Sequence, residues 1–213
     1  MTPSCCSSVV SAMPATRSHS QFAQRFHAAR DAARPEDDPD REGEFHQAHW
    51  VRFHSLPRSK RYADSDAEDR TIVRRTLAVL DALNVDAEEL WVVCNSWSSR
   101  RVTPAQLDPI TRRALVDAQW VGSHENLEPT DQLVEWVSVL AANDARLGDV
   151  ILAAAEDRNP ASFAPPDFAW LLRQYDGGCD VWVQSAAQRD ALAETFTSWL
   201  SPEYLQTKEL GRL

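Results

Sequence analysis

The sequence predicts an α+β fold: one domain in which helices pack against a mixed, mostly antiparallel sheet, with a C-terminal β-hairpin followed by a closing helix. Three observations carry this. Strand-like and helix-like periods are interleaved along the chain, two apolar runs flank Asp176-Gly177-Gly178, and 213 residues suit one hydrophobic core better than two.

Residues 1–19 are rich in Ser, Thr and Ala and have no periodicity, so a disordered tail is expected ahead of a domain over 20–205. Phe22, Phe26 and Ala29 have the spacing of a short amphipathic helix that Pro35 ends. The acidic, proline-containing run 36–44 reads as a solvated linker. His49 to His54 alternates as a strand does, with Val51 and Phe53 on one face and Trp50, Arg52 and His54 on the other. Ser65-Asp66-Ala67-Glu68 fits a capping box, and the helix it opens places Ile72, Thr76, Val79, Leu80 and Leu83 on one stripe.

Leu90 to Cys94 is apolar on both faces and rich in β-branched residues, as a central strand buried on both sides should be. Thr103-Pro104 and Asp108-Pro109 each pair a cap residue with proline at the first helical position, which predicts short helices before Ala118. Residues 131–142 fit either period, and their β-branched and aromatic content favours a strand; a helix over 144–156 comes next. The runs 168–173 and 179–183 should pair antiparallel across Asp176-Gly177-Gly178, where glycine supplies positive φ. Ser185 to Gln188 is a second capping box. It opens a helix with Leu192, Phe196, Trp199 and Leu200 on one face, Pro202 closes that helix, and 206–213 is left as a tail.

Composition narrows the function classes. Acidic residues outnumber basic ones 32 to 22, giving a net charge of −10, which disfavours nucleic acid and anionic lipid as partners and favours a basic one. No apolar run approaches the ~20 residues of a membrane-spanning helix. The first 20 residues lack the charged and apolar regions of a secretory signal. Cys5, Cys6, Cys94 and Cys179 show no metal-ligand spacing and read as free thiols, so a cytoplasmic location is expected, with no cofactor.

No nucleotide-binding glycine motif and no G-x-S-x-G elbow occurs. His46, His49 and His54 cannot converge from one strand, because alternation turns His49 away from the other two, so no metal site is predicted. A basic island of Arg52, Arg58, Lys60 and Arg61, beside His54 and Tyr62, stands out against the acidic background. It suits a phosphate or carboxylate, or else a solvated loop paired with Asp64, Asp66 and Glu68. Asp176 is most simply a turn residue, whereas Asp180, inside a strand, is a stronger acid-base candidate. Trp50, Arg52 and Trp182 would form a partner surface if exposed, and would be core if a helix covered them.

Two blocks carry a resemblance: His49-Trp50-Val51-Arg52-Phe53-His54-Ser55-Leu56-Pro57-Arg58-Ser59-Lys60-Arg61-Tyr62, and Tyr175-Asp176-Gly177-Gly178-Cys179-Asp180 with its following helix. Over about residues 45–202 the chain resembles a bacterial family of small cytoplasmic proteins known as a domain of unknown function. The resemblance implies membership and transfers no catalytic residue. Similar small acidic proteins often serve as immunity proteins that neutralise toxins.

Two functions are therefore expected in competition. One is a non-enzymatic protein-binding role, in the toxin-immunity sense, with a basic toxin as partner. The other is an enzyme of small anionic or phosphorylated substrates, in which Arg52, Lys60 and Arg61 hold the anion while His54 and Asp180 exchange protons.

Overall fold

A computed structural model describes residues 16–33, 47–83, 89–98, 103–125 and 132–210. The acidic run 36–44, His46 and the first fifteen residues lie outside these. The strands are β1 (Thr16–Arg17), β2 (Trp50–His54), β3 (Glu89–Ser98), β4 (Gln119–Glu125), β5 (Gln132–Ala141), β6 (Ala161–Ala164), β7 (Trp170–Tyr175) and β8 (Gly178–Val183). They form one sheet in the order β1-β4-β5-β3-β6-β7-β8-β2. The predicted α+β architecture is present, and every pairing in the sheet is antiparallel.

The helices are α1 (Gln21–Ala32), α2 (Asp66–Leu83), α3 (Pro109–Ala114), α4 (Leu147–Ala155), α5 (Ala186–Thr195) and α6 (Pro202–Glu209). Strand alternation on β3 divides the core into two layers. Leu90, Val92 and Cys94 join Ile72, Val79 and Leu80 of α2 and Leu147, Val150 and Ile151 of α4 on one face. Trp91 and Val93 join Ala23 and Phe26 of α1, with Phe168 and Leu171, on the other. Because β3 is covered on both sides, its residues from Leu90 to Cys94 are all buried, as their continuous apolar character requires. Phe26 and Phe168 both sit against the Trp91 ring, at centroid distances of 5.2 and 5.6 Å.

Several local expectations change. Glu68 does not reach back to Ser65: its carboxylate accepts from the Asp64 N–H at 2.7 Å and from Lys60 at 2.5 Å. His49 belongs to a 3₁₀ turn at Gln47–His49, and the strand begins one residue later. Helix α5 stops at Thr195, since the Thr197 hydroxyl donates to the terminal carbonyls of Ala193 and Glu194 and the chain turns into a 3₁₀ segment. Pro202 then starts α6 at its first position behind the Ser201 cap, so residues 206–209 are helical. Strands β1, β4 and β6 are not legible in the sequence: β4 is interrupted by Gly122, Ser123 and His124, and β6 has only four residues without a β-branched side chain.

Strand β2 lies at one edge of the sheet. It pairs with β8 on one side, while on the other the Ser201 N–H donates to the Arg52 carbonyl and Phe53 bridges Leu200. The segment before α6 thus satisfies part of the open edge that an outer strand otherwise presents.

Candidate functional site

The two sequence blocks meet in space. Register across β2, β8 and β7 places Trp50 opposite Trp182, Arg52 opposite Asp180, and Asp180 opposite Arg173, all on the sheet face away from α2. Glycines make the approach close. Gly177 adopts φ +88°, its carbonyl accepts from the Ser55 N–H, and a β-carbon on Gly178 would stand 2.3 Å from the Phe53 carbonyl oxygen. Asp176 keeps negative φ, the sign pattern of a type II turn. Asp176-Gly177-Gly178 therefore docks the hairpin onto β2 as well as closing it.

Beside this contact lies a recess of about 390 Å³, lined by Arg52, His54, Ser59, Arg61, Tyr175 and Asp176, with Ser201 and Pro202 also on its wall. Arg52 donates to Asp180 side-on through one edge of its guanidinium, Nε to Oδ1 at 2.6 Å and Nη2 to Oδ2 at 2.8 Å. The guanidinium also stacks near Trp50 and Tyr175, 5.1 and 5.5 Å from the ring centroids. Such a planar, bidentate, aromatic-flanked placement suits arginine and would not suit lysine. The Asp180 side chain is 10% exposed, so its charge depends on this partner.

Asp176, 13% exposed, accepts from Tyr62 Oη at 2.8 Å and pairs with Arg61 Nε. That bond to the carboxylate raises the Tyr62 pKa. Lys60 points away from the recess to Asp64 and Glu68, which raise its pKa. The backbone bond from Asp64, together with Lys60, lowers that of Glu68. For Lys60 the solvated-loop reading of the basic island fits the geometry.

His54 and Asp180 lie on the same face but two residues out of register, and no hydrogen bond joins them. His54 Nε2 instead meets Ser59 Oγ at 3.1 Å. Ser59 reaches it from an unusual turn. Arg58 (φ 59°, ψ 31°) and Ser59 (φ 57°) are both left-handed, and the Lys60 N–H donates to the Pro57 carbonyl at 3.4 Å. This is the pattern of a type I′ turn, which normally carries Asn-Gly. Nothing in the sequence signals it, because Arg-Ser has no left-handed preference.

The aromatic set divides. Trp50 is buried, with the Tyr204 ring of α6 at 6.0 Å, so at this position the helix-covered alternative applies. Trp182 is partly exposed under the guanidinium of exposed Arg173, at 5.6 Å. Trp97 is exposed, but at the far end of β3. Cys94 and Cys179 are buried free thiols; burial pushes Cys94 up to about 12 and Cys179 higher still.

A larger groove of about 1120 Å³ between α2 and α4, floored by Val73, Leu77 and Leu152, contains none of the predicted site residues. No helix among the described residues is long and apolar enough to cross a membrane. Neither the curated proteins nor the solved structures contain a match to the chain. A family model does match, and over residues 39–203, a span that takes in both sequence blocks and the recess they build, this chain belongs to the family described as Domain of unknown function (DUF3885).

Proposed function

We propose that the protein is a non-enzymatic recognition protein whose partner surface comprises the recess and the adjoining Arg173/Trp182 face. One observation supports this most. The groups in the recess suited to proton exchange are already engaged: Asp180 by Arg52, Asp176 by Arg61 and Tyr62, and His54 by Ser59. Both buried thiols are held protonated. What faces outward is arginine, tyrosine and tryptophan, the residue types that dominate protein-binding hot spots.

The net charge of −10 adds long-range steering toward a basic partner, and a toxin neutralised in bacterial competition is the partner class that fits. The test is co-expression with the product of the adjacent gene, followed by binding and growth-rescue assays on the wild type and on R173A and W182A. Micromolar or tighter binding that both substitutions weaken is expected. Turnover of an ester or phosphoester substrate that H54Q abolishes would instead establish the enzymatic reading.

A further inference from the structure

We propose that His27, Arg30 and Glu135 form a pH-sensitive latch, which holds helix α1 on the sheet and releases it when His27 takes up a proton.

The three side chains make a buried polar chain on the sheet face that α1 covers. They are 5%, 6% and 8% exposed. His27 Nε2 lies 2.8 Å from the Val121 carbonyl oxygen of β4, and its Nδ1 lies 3.2 Å from Arg30 Nη2. Arg30 Nη1 donates to Glu135 Oε1 of β5 at 2.9 Å, and its guanidinium lies 4.9 Å from the Phe26 ring centroid.

The partners of His27 fix its charge. A carbonyl only accepts, so Nε2 carries a hydrogen; a guanidinium only donates, so Nδ1 carries none. Both bonds are made only by the neutral imidazole. A proton on Nδ1 would set one N–H against another and bring two cations together in a buried site. Arg30 cannot turn aside without giving up its bond to Glu135, whose carboxylate is itself buried. The remaining charges of α1 near this layer face water: Arg25 is exposed over the Trp91 ring, and Asp31 is exposed one turn beyond His27. Strand β4 offers the Val121 carbonyl, β5 offers Glu135, and β3, β6 and β7 contribute the apolar Trp91, Val93, Ala164 and Leu171.

The setting makes release a local event. A bulge between Trp120 and Gly122 takes Val121 out of register with β5, and its carbonyl accepts from the Ser18 N–H at 2.9 Å as well as from His27. Helix α1 precedes the span shared with the family, residues 39–203, and Ala23 and Phe26 are its fully buried apolar residues. A helix with so small an apolar footprint can open without the rest of the domain. Trp182 packs against the same layer, so release would enlarge the proposed partner surface; that consequence alone rests on the recognition function, and the latch does not.

Docked α1 keeps His27 neutral, whereas in the released helix it titrates as an ordinary histidine, near pH 6.5. The stabilisation is therefore complete above about pH 6.5 and is lost as pH falls. Amide hydrogen exchange of α1 in the full chain, corrected for intrinsic rates and referenced to α2, measures it from about pH 7.5 to 5. The opening constant of α1 should rise about tenfold per pH unit below about 6.5 while that of α2 holds. H27Q, whose amide also donates and accepts but takes no proton, should abolish the slope. In the wild type, nitrogen NMR of the ring should show the Nε2–H tautomer in the docked state throughout. Three results would overturn the latch: His27 protonating near pH 6.5 with α1 still protected, the same slope in H27Q, or α1 and α2 opening together. Should H27Q already release α1 at neutral pH, the slope and ring tautomer of the wild type decide the matter by themselves. None of these readouts involves a partner, so the latch and the recognition function fail separately.

Discussion

Replacing Arg58-Ser59 by Asn-Gly should stabilise the protein by relieving the left-handed turn at Pro57–Lys60. In the structure both residues sit near φ +60°, where a β-carbon crowds the backbone. Strain of this kind is about 1–2 kcal/mol per residue for ordinary side chains and smaller for Asn, so Arg58→Asn should recover about 0.5–1 kcal/mol. Ser59→Gly removes about 1–2 kcal/mol of strain but gives back about 0.5–1 kcal/mol through the greater backbone entropy of the unfolded chain. It also loses the exposed Ser59–His54 hydrogen bond, about 0.5 kcal/mol. The sum is a gain of about 1 kcal/mol, or about 2–4 °C in Tm for a chain of this size. Urea and thermal unfolding of R58N/S59G against wild type measure it, and S59A, which keeps the β-carbon, should show no gain. A double variant that unfolds earlier than wild type would refute the strain argument.

The geometry fixes three further outcomes. R52A leaves the nearly buried Asp180 carboxylate without its bidentate partner and should cost about 2–3 kcal/mol, just below the about 3–5 kcal/mol of fully buried pairs because Arg52 is partly exposed; a double-mutant cycle with D180N should return a coupling above about 1 kcal/mol by urea unfolding. G178A should be far worse than G177A: the first forces the Phe53 carbonyl and the hairpin apart, while the second adds about 1–2 kcal/mol of left-handed strain, so circular dichroism melts should rank them in that order. Cys94 is an acid whose folded pKa lies above its unfolded value, so its neutral form contributes stability below pH ~9 that is lost as pH rises toward about 12, by about 1.4 kcal/mol per unit; comparing the alkaline unfolding profiles of wild type and C94A isolates that slope, and an identical slope in both would refute it.

Part of the fold is readable in one dimension. The buried central strand that ends in Cys94, the long α2, the choice of strand over helix for β5 and the β7–β8 hairpin all derive from local period and residue type. The failures have physical causes as well. Strands β4 and β6 exist because β3 and β5 offer them hydrogen bonds on either flank, and no period of their own announces it. The end of α5 and the start of α6 escape a reading by period because Thr197 takes up the α5 carbonyls through a side-chain bond, which composition alone does not predict.

The site divides in the same way. Sequence alone determined which residues were unusual, the basic island with His54 and the Asp176 to Asp180 turn, since their types and clustering are local properties. Only the tertiary structure decided what each one does. Pairing of β2 with β8 neutralised Asp180 with Arg52, the hairpin contact took Asp176 for Arg61 and Tyr62, α6 buried Trp50, and a left-handed turn brought Ser59 to His54. Partnership between charges depends on distance through space, and residues 128 positions apart in the chain meet at 2.6 Å only after the sheet has formed.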